Sequence, residues 1–273
     1  MTINCKGTLV EVSSPKVMGV LNITPDSFFD GGRYKNDTEI LSQVEKMLTE
    51  GATFIDVGAY SSRPGAIHIS EEEELKRIVP VIDLLVKKFP EIILSIDTFR
   101  SKVARETIHT GAAIINDISG GKIDPNMFAT VANLKAPYIL MHMLGTPQNM
   151  QQNPKYEDIT KEIIFFFAQQ IEKLHQLKVN DIIIDLGFGF GKTIDHNFEI
   201  LKNLELFKSL NTPILAGISR KSMLYKPLGI SAQEALNATT CANTIALLNG
   251  ATILRVHDVK EAMEAIKIVS HII

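Results

Sequence analysis

Eight short β-branched runs, each followed by a segment of helical periodicity, most constrain how this chain can fold. The runs are Val17–Leu21, Thr53–Val57, Ile92–Ile96, Ala113–Ile115, Tyr138–Met141, Asp181–Ile184, Pro213–Ala216 and Thr252–Leu254. Between them, Leu75, Ile78, Val79, Ile82, Leu85, Val86 and Phe89 make one apolar stripe, and Ile164, Phe167, Ile171, Leu174 and Leu177 make another. Ser70 with Glu73, and Ser231 with Glu234, read as capping boxes that start helices. A weak repeat runs through GATFIDVG (51–58), GAAIINDI (111–118) and GATILRVHD (250–258): a helix-ending glycine, a small residue, then a buried strand. Eight such units in 273 residues match a (β/α)₈ barrel, with the whole chain, 1–273, as one domain. A doubly wound open sheet is the structural alternative.

A barrel places its active site on the loops at the carboxyl ends of the strands, so polar residues should gather there. They do so on every unit: Asn22, Asp56 with Gly58, Asp97, Asn116 with Asp117, His142, Asp185, Ser219 with Arg220 and Lys221, and Arg255 with His257. One polar residue at a strand end usually just begins a loop; a full set argues for a site. Two glycine-bearing loops, LNITPDSFFDGG (21–32) and GAYSSRPGA (58–66), follow the first and second runs and resemble loops that close over a reacting centre.

Composition removes several classes of function. With 45% hydrophobic and 22% charged residues and a net charge of −3, the chain has a soluble composition and no basic footprint for nucleic acid or membrane. The acidic run Glu71–Glu74 reads as the solvated first turn of a helix. No apolar run approaches a membrane span of roughly 18 residues, and the N-terminus lacks the pattern of a signal peptide. Two cysteines, Cys5 and Cys241, are too few for a disulfide framework and wrongly spaced for a metal site. A cytoplasmic protein is the expectation.

The chemistry is that of binding groups. No HxH, HExxH or paired-cysteine pattern offers a transition-metal site, and no GxSxG elbow offers an activated serine. Lys221 could form a Schiff base, but within SRKS it suits a cationic donor better. Arg63, Arg220, Lys221, Arg255 and His257 can hold phosphate oxygens. Asp97, Asn116 and Asp185 can meet the amino–imino edge of a pterin or guanine, or else make ordinary structural pairs. IIIDLGFGFGKT (182–193) evokes a nucleotide loop without matching one. A P-loop needs its first glycine at Leu186, and GxGxxG would need glycine at Lys192 or Ile194. Its glycines instead let backbone pass close to substrates, and Lys192 reads as a surface or helix-start residue.

Taken together, VMGVLNITPDSFFDGG (17–32), VGAYSSRPGA (57–66), SIDTFRSKVA (95–104), IINDISGG (114–121), MHMLGTPQNMQQNPKY (141–156), IIIDLGFGFGKT (182–193), AGISRKSML (216–224) and ILRVHDV (253–259) resemble the dihydropteroate synthase family over nearly the whole length. The resemblance implies a (β/α)₈ barrel, usually a homodimer. It implies the joining of 6-hydroxymethyl-7,8-dihydropterin diphosphate to 4-aminobenzoate, with pyrophosphate released. On that basis Asp97, Asn116, Asp185 and Lys221 would bind the pterin, and Arg255 would cover one ring face. Asn22, Ser62, Arg63, Arg255 and His257 would hold the diphosphate, with Asn22 on Mg²⁺. Ser62, Arg63, Pro64, Phe188, Phe190, Lys221 and Ser222 would frame the aminobenzoate, and Asp30 would stabilise positive charge on the pterin carbon. Asp30, Arg63 and Lys221 are the expected catalytic residues. Mg²⁺ and cationic side chains make pyrophosphate a good leaving group, so a dissociative route needs no enzyme nucleophile.

The chain departs from the commonest family pattern at Ala59-Tyr60, Ser62, Leu186, Phe29 and Leu144. These bear on loop conformation and sulfonamide response, not on the reaction. A methyltransferase pterin domain would have no need of SSRPG and SRKS. A non-catalytic pterin-binding paralogue should lose Asn22, Asp30, Arg63 or Lys221, and all four are present. A generic phosphate-binding aldolase-type barrel fits least.

Overall fold

All eight expected runs form strands, and lateral hydrogen bonding closes them into a ring of parallel strands. The computed structural model describes residues 1–23, 36–61, 68–147, 149–150 and 153–272. The barrel strands are β3 (Lys16–Asn22), β4 (Phe54–Gly58), β5 (Leu94–Asp97), β6 (Ile114–Asp117), β7 (Tyr138–Met141), β8 (Ile182–Asp185), β9 (Ile214–Ala216) and β10 (Ile253–Val256), with β10 closing on both β3 and β9. Helices α1 (Asn36–Thr49), α2 (Glu71–Lys88), α3 (Ser101–Thr110), α4 (Met127–Leu134), α5 (Ile159–Gln176), α6 (Ile194–Lys202), α7 (Ser222–Leu228), α8 (Leu236–Leu248) and α9 (Val259–Val269) follow the strands in turn. A 3₁₀ segment, Leu204–Leu210, links α6 to β9. The open-sheet alternative is excluded by closure. Among the described residues no helix is long and apolar enough to cross a membrane.

Strand alternation separates two cores. Val17, Ile55, Ile115, Leu140, Ile184, Ala216 and Leu254 face the helices and join the large cluster there. Their neighbours Met18, Phe54, Ile114, Ile139, Ile183, Leu215 and Ile253 fill the lower barrel. The three repeat glycines have φ of +104, +125 and +102 (Gly51, Gly111, Gly250), which is the helix-ending geometry the repeat predicts.

Several local expectations are corrected. Ser70 does cap α2, accepting from the Glu73 N–H at 3.2 Å. Ser231 and Glu234 bond to each other, yet their turn lies before α8, whose N-cap is Ala235. Glu71–Glu74 do open α2, but Glu74 is fully buried, accepting from Thr98 Oγ1 at 2.7 Å and pairing with Arg100. Leu177 lies exposed beyond the end of α5.

The sequence reading also missed a hairpin, β1 (Thr2–Cys5) with β2 (Thr8–Glu11), paired antiparallel. Lys6 and Gly7 turn it, both at positive φ (+55 and +89), as a two-residue type I′ loop requires. Ile3, Cys5 and the following Val12 join the lower barrel cluster, so the hairpin stoppers the amino-terminal end. Ile3→Ala should lower unfolding stability by about 2–5 kcal/mol. Leu9→Ala, on the exposed side (69% accessible), should change it by no more than about 0.5 kcal/mol. Urea denaturation compares them, and equal effects would mean that the hairpin does not seat in the barrel.

Candidate functional site

The side-chain period of two that fills the lower barrel also builds its mouth. Two residues beyond Phe54, Ile114, Ile183 and Ile253, the inward face carries Asp56, Asn116, Asp185 and Arg255; β5 contributes Ser95 and Asp97 by the same rule. The apolar layer ends and a charged one begins within one strand repeat.

Asp56, fully buried, organises this layer. It accepts from Ser95 Oγ at 2.6 Å, Asn116 Nδ2 at 3.0 Å and Arg255 Nε at 2.7 Å. Arg255 also donates through Nη2 to Asp97 at 3.0 Å. Four strands are thus joined by one network. Burial works against the Arg255 charge, but Asp56 and Asp97 more than offset it and raise its pKa. Burial lifts the Asp97 carboxyl to about 7 despite Arg255, helped by the charges of Asp56, Glu74 and Asp117. Once Asp56 has taken the Asn116 amide N–H, Asn116 Oδ1 remains buried without a hydrogen-bond partner.

Across the mouth, Asp185 accepts from Gly187 N at 2.8 Å, and burial raises its pKa against the pull of Lys221. Lys221 donates to the Phe188 carbonyl, and its Nζ lies 4.8 Å from the centre of the Phe190 ring. Burial lowers its pKa to about 8, with Asp185 acting in the opposite direction. Gly217 leaves room between these two groups: a methyl there would stand 3.8 Å from both Asp185 Oδ2 and Lys221 Nζ. Gly58 does the same on the opposite side, where a Cβ would lie 3.6 Å from both Asn22 Oδ1 and Asp97 Oδ2. His257 is exposed beyond β10, with its Nδ1 3.1 Å from Ser219 Oγ, and Ser222 begins α7 beside Lys221.

Asn22, Asp97, Asn116, Asp185, Lys221, Ser222, Arg255 and His257 therefore sit on strand ends or the loops following them, as the sequence implied. Phe188 differs from its neighbour: its ring is fully buried in the cluster outside the barrel, and only its carbonyl meets Lys221. Phe190 is half-buried beside Met141, Met143 and Met150. Asp30, Ser62, Arg63 and Pro64 lie outside the described residues.

Three strand-end groups prove structural. Arg220 is taken by Asp258, with two bonds of 2.8 Å, and by the Ala232 and Gln233 carbonyls. His142 is buried against Phe166 and Tyr156, and burial together with Lys192 and Lys122 holds it neutral. Asp117 accepts from Ser119 N, Gly121 N and the Tyr138 hydroxyl, fixing the turn after β6. Lys192 is likewise no surface residue, being only 3% exposed.

The sequence placed Asp56 in the strand-end polar set without a specific role, and gave none to the flanks of the second loop. Arg100 pairs with Glu74, donates to the Ile69 carbonyl at 2.6 Å and lies 5.5 Å from the centre of the Tyr60 ring. Tyr60, at one of the departures, packs edge-on against Phe99 at 5.0 Å, with its hydroxyl 3.2 Å from His68 Nδ1. Of these, only Asp56 carried a signal in the sequence, a carboxylate two residues beyond an apolar strand position.

A parallel barrel whose mouth presents an unpaired amide oxygen, two further carboxylates and two cations is built to hold a flat, donor-rich ring beside an anion. The chain belongs to the pterin binding enzyme family, whose model matches residues 18–257. It is 42% identical to the dihydropteroate synthase of Escherichia coli (strain K12), across 98% of this chain and 95% of that one. A Yersinia pestis dihydropteroate synthase solved as a sulfonamide drug complex superposes with a TM-score of 0.94 at 42% identity, covering 100% of this chain and 99% of that one. The Xanthomonas albilineans enzyme in complex with 7,8-dihydropteroate gives a TM-score of 0.89 at 32% identity, covering 100% and 98%.

Breaking a buried ion pair on one side costs about 3–5 kcal/mol, because the surviving charge is left uncompensated. Asp56→Ala leaves Arg255 its Asp97 partner but strips Ser95 and Asn116 of their acceptor, so it should destabilise the protein by about 3 kcal/mol, the lower end of that range. Asp56→Ala with Arg255→Met should recover part of the loss in chemical denaturation; a deeper loss in the double variant would contradict the network.

Proposed function

We propose that this chain joins 6-hydroxymethyl-7,8-dihydropterin diphosphate to 4-aminobenzoate, giving 7,8-dihydropteroate and pyrophosphate. The observation that carries this reading is the buried, unpartnered Asn116 Oδ1 beside Asp97 and across from Asp185, within a chain similar to dihydropteroate synthases over its whole length. An amino–imino edge supplies the donors that such acceptors lack, and an unmet buried acceptor costs roughly 1–3 kcal/mol. The strand-borne acceptors hold the ring, Lys221 adds a donor beside Asp185, and Arg255 lies across the opening.

The diphosphate falls to Arg255 and His257, with Asn22 and, from the second loop, Ser62 and Arg63. Asn22 suits a Mg²⁺ that takes most of its oxygens from phosphate and water, as this ion commonly does. When bound, the ion would neutralise diphosphate charge. Among the described residues the hydroxyl that stands beside a base at the mouth is Ser219, against His257, and a dissociative route needs no enzyme nucleophile. The residues favour departure of pyrophosphate from a positioned substrate, with Asp30 offsetting positive charge on the pterin carbon, before the arylamine adds. Phe190, Pro64, Ser62 and Ser222 would frame that amine, with the Phe188 ring supporting the turn from behind. A homodimer, a cytoplasmic location and one domain over 1–273 belong to the same reading.

The direct test is product mass and pyrophosphate release from the dihydropterin diphosphate, with and without 4-aminobenzoate. Folded protein with Mg²⁺ that yields no dihydropteroate would overturn the reaction. In a single turnover, pyrophosphate appearing before the amine adds supports the dissociative order, and strict simultaneity removes it. Lys221→Ala should lose a charge-assisted bond of about 1.5–3 kcal/mol, or roughly 10- to 150-fold in kcat/KM for the pterin substrate.

The pH profile follows from the same groups. Asp97 accepts with both oxygens and full charge only when ionised, so activity should fall as pH drops through about 7. Lys221 donates most strongly as the ammonium, so it should fall again as pH rises through about 8. Initial rates should trace a narrow bell in kcat/KM. Lys221→Arg should remove its alkaline limb; an unchanged limb would assign it elsewhere.

A further inference from the structure

One buried charge close to the mouth has no part in the reaction just described. Lys192 lies behind the turn 187–190, and its ammonium donates to three backbone carbonyls: His142 at 3.1 Å, Gly187 at 2.9 Å and Phe190 at 3.1 Å. Burial pushes the Lys192 pKa well down while Asp185 opposes it, and the three carbonyl acceptors match the three N–H donors of the ammonium, whose capacity is filled. Two of these carbonyls belong to the loop after β8, and the third to the residue that follows β7. The backbones of those loops touch. A Cβ on Gly187, at φ +64, would lie 2.0 Å from the His142 carbonyl oxygen, and one on Gly191 would lie 2.6 Å from that of Leu144. Tyr156 adds a hydroxyl bond to the Gly191 carbonyl at 2.9 Å, and Gly189 N donates to Asn197 Oδ1 at 2.7 Å.

We propose that Lys192 is a positioning residue for the arylamine side of the site, holding through backbone carbonyls the turn that sets Phe190 at the mouth. This rests on the reading that Phe190 frames 4-aminobenzoate. Lys221 grips the same turn at the Phe188 carbonyl from the mouth side. The Phe190 ring sits between that ammonium and the Met141, Met143 and Met150 cluster, so its placement depends on where the turn stands. The pterin acceptors Asp97, Asn116 and Asp185 belong to strands β5, β6 and β8 and are fixed by the barrel ladder; the turn reaches only Asp185, through the Gly187 N–H. Loss of the Lys192 clamp therefore selects against one substrate. Displacing a positioning group by an ångström can cost about 10²-fold, and the displacement here falls on the amine.

The test is steady-state kinetics of the full chain with both substrates varied. Lys192→Met keeps length and apolar bulk but removes the donors. It should raise the KM for 4-aminobenzoate about tenfold or more, while the KM for the pterin diphosphate stays within about twofold. With Phe190→Leu added, the two effects on the amine KM should combine to less than their product, because one acts through the other. KM values that rise together, or effects that multiply independently, overturn the proposal. If Lys192→Met does not fold, Lys192→Arg, which keeps the charge on a longer side chain, reads the same split. Unmodified protein that makes no dihydropteroate removes the parent reading; unmodified protein that makes it, with no split in the variants, removes the Lys192 role alone.

Discussion

Placing a guanidinium and two carboxylates inside a barrel is costly unless each has a partner, and the upper layer of this barrel is arranged around that requirement. Arg255 reaches from β10 to Asp56 on β4 and Asp97 on β5, while Asp56 also takes Ser95 and Asn116. Asp56, Ser95, Asp97, Asn116 and Arg255 therefore each lean on another strand. Because Asp56 absorbs the amide N–H of Asn116, the amide oxygen is left without a donor. The same network that makes the buried charges tolerable thus orients the acceptor that a donor-rich ring would meet.

The mouth divides into parts held in different ways. The acceptors proposed for the ring, Asp97, Asn116 and Asp185, stand on strands, whose ladders fix them within the barrel. The groups proposed for the second substrate stand on a glycine-rich turn held by two lysines, one at the mouth and one buried behind it. Rigid placement of one reactant and an adjustable wall for the other suit a reaction in which a small arylamine adds to an already seated partner. Below this level the apolar layer and the amino-terminal hairpin close off the barrel, so polar access is confined to one end.

Much of this could be read along the chain. Each strand run was visible because β-branched residues cluster there, and the mouth carboxylates stood out because they follow those runs directly. Asn22, Asp97, Asn116, Asp185, Lys221, Arg255 and His257 all lie where their position after a strand placed them. At the strand ends, what failed did so for one reason: a polar residue there looks the same in sequence whether it faces substrate or neighbouring protein. Arg220 and His142 follow strands as Lys221 and Asp185 do, yet Asp258 and the aromatic rings claim them. Glu74, within a run of four acidic residues, gave no sign that Thr98 and Arg100 would bury it. The hairpin was passed over for a separate reason: TINC buries only alternate residues and TLVE is largely exposed, so both lack the continuous buried apolar run of the barrel strands.

By itself the sequence determined the alternation of eight β/α units, which a barrel or a doubly wound sheet can satisfy, and the chemical types at the strand ends; closure of the ring was decided by the structure. It also determined, through eight ordered motifs, which family those types belong to. Tertiary structure alone decided which charges are spent on the protein and which remain for a ligand, because pairing depends on contacts such as Asp56 with Arg255, 199 residues apart. It likewise turned IIIDLGFGFGKT from a false nucleotide loop into a turn held from behind by its own lysine, since the carbonyls that fill Lys192 converge only once β7 and β8 lie side by side.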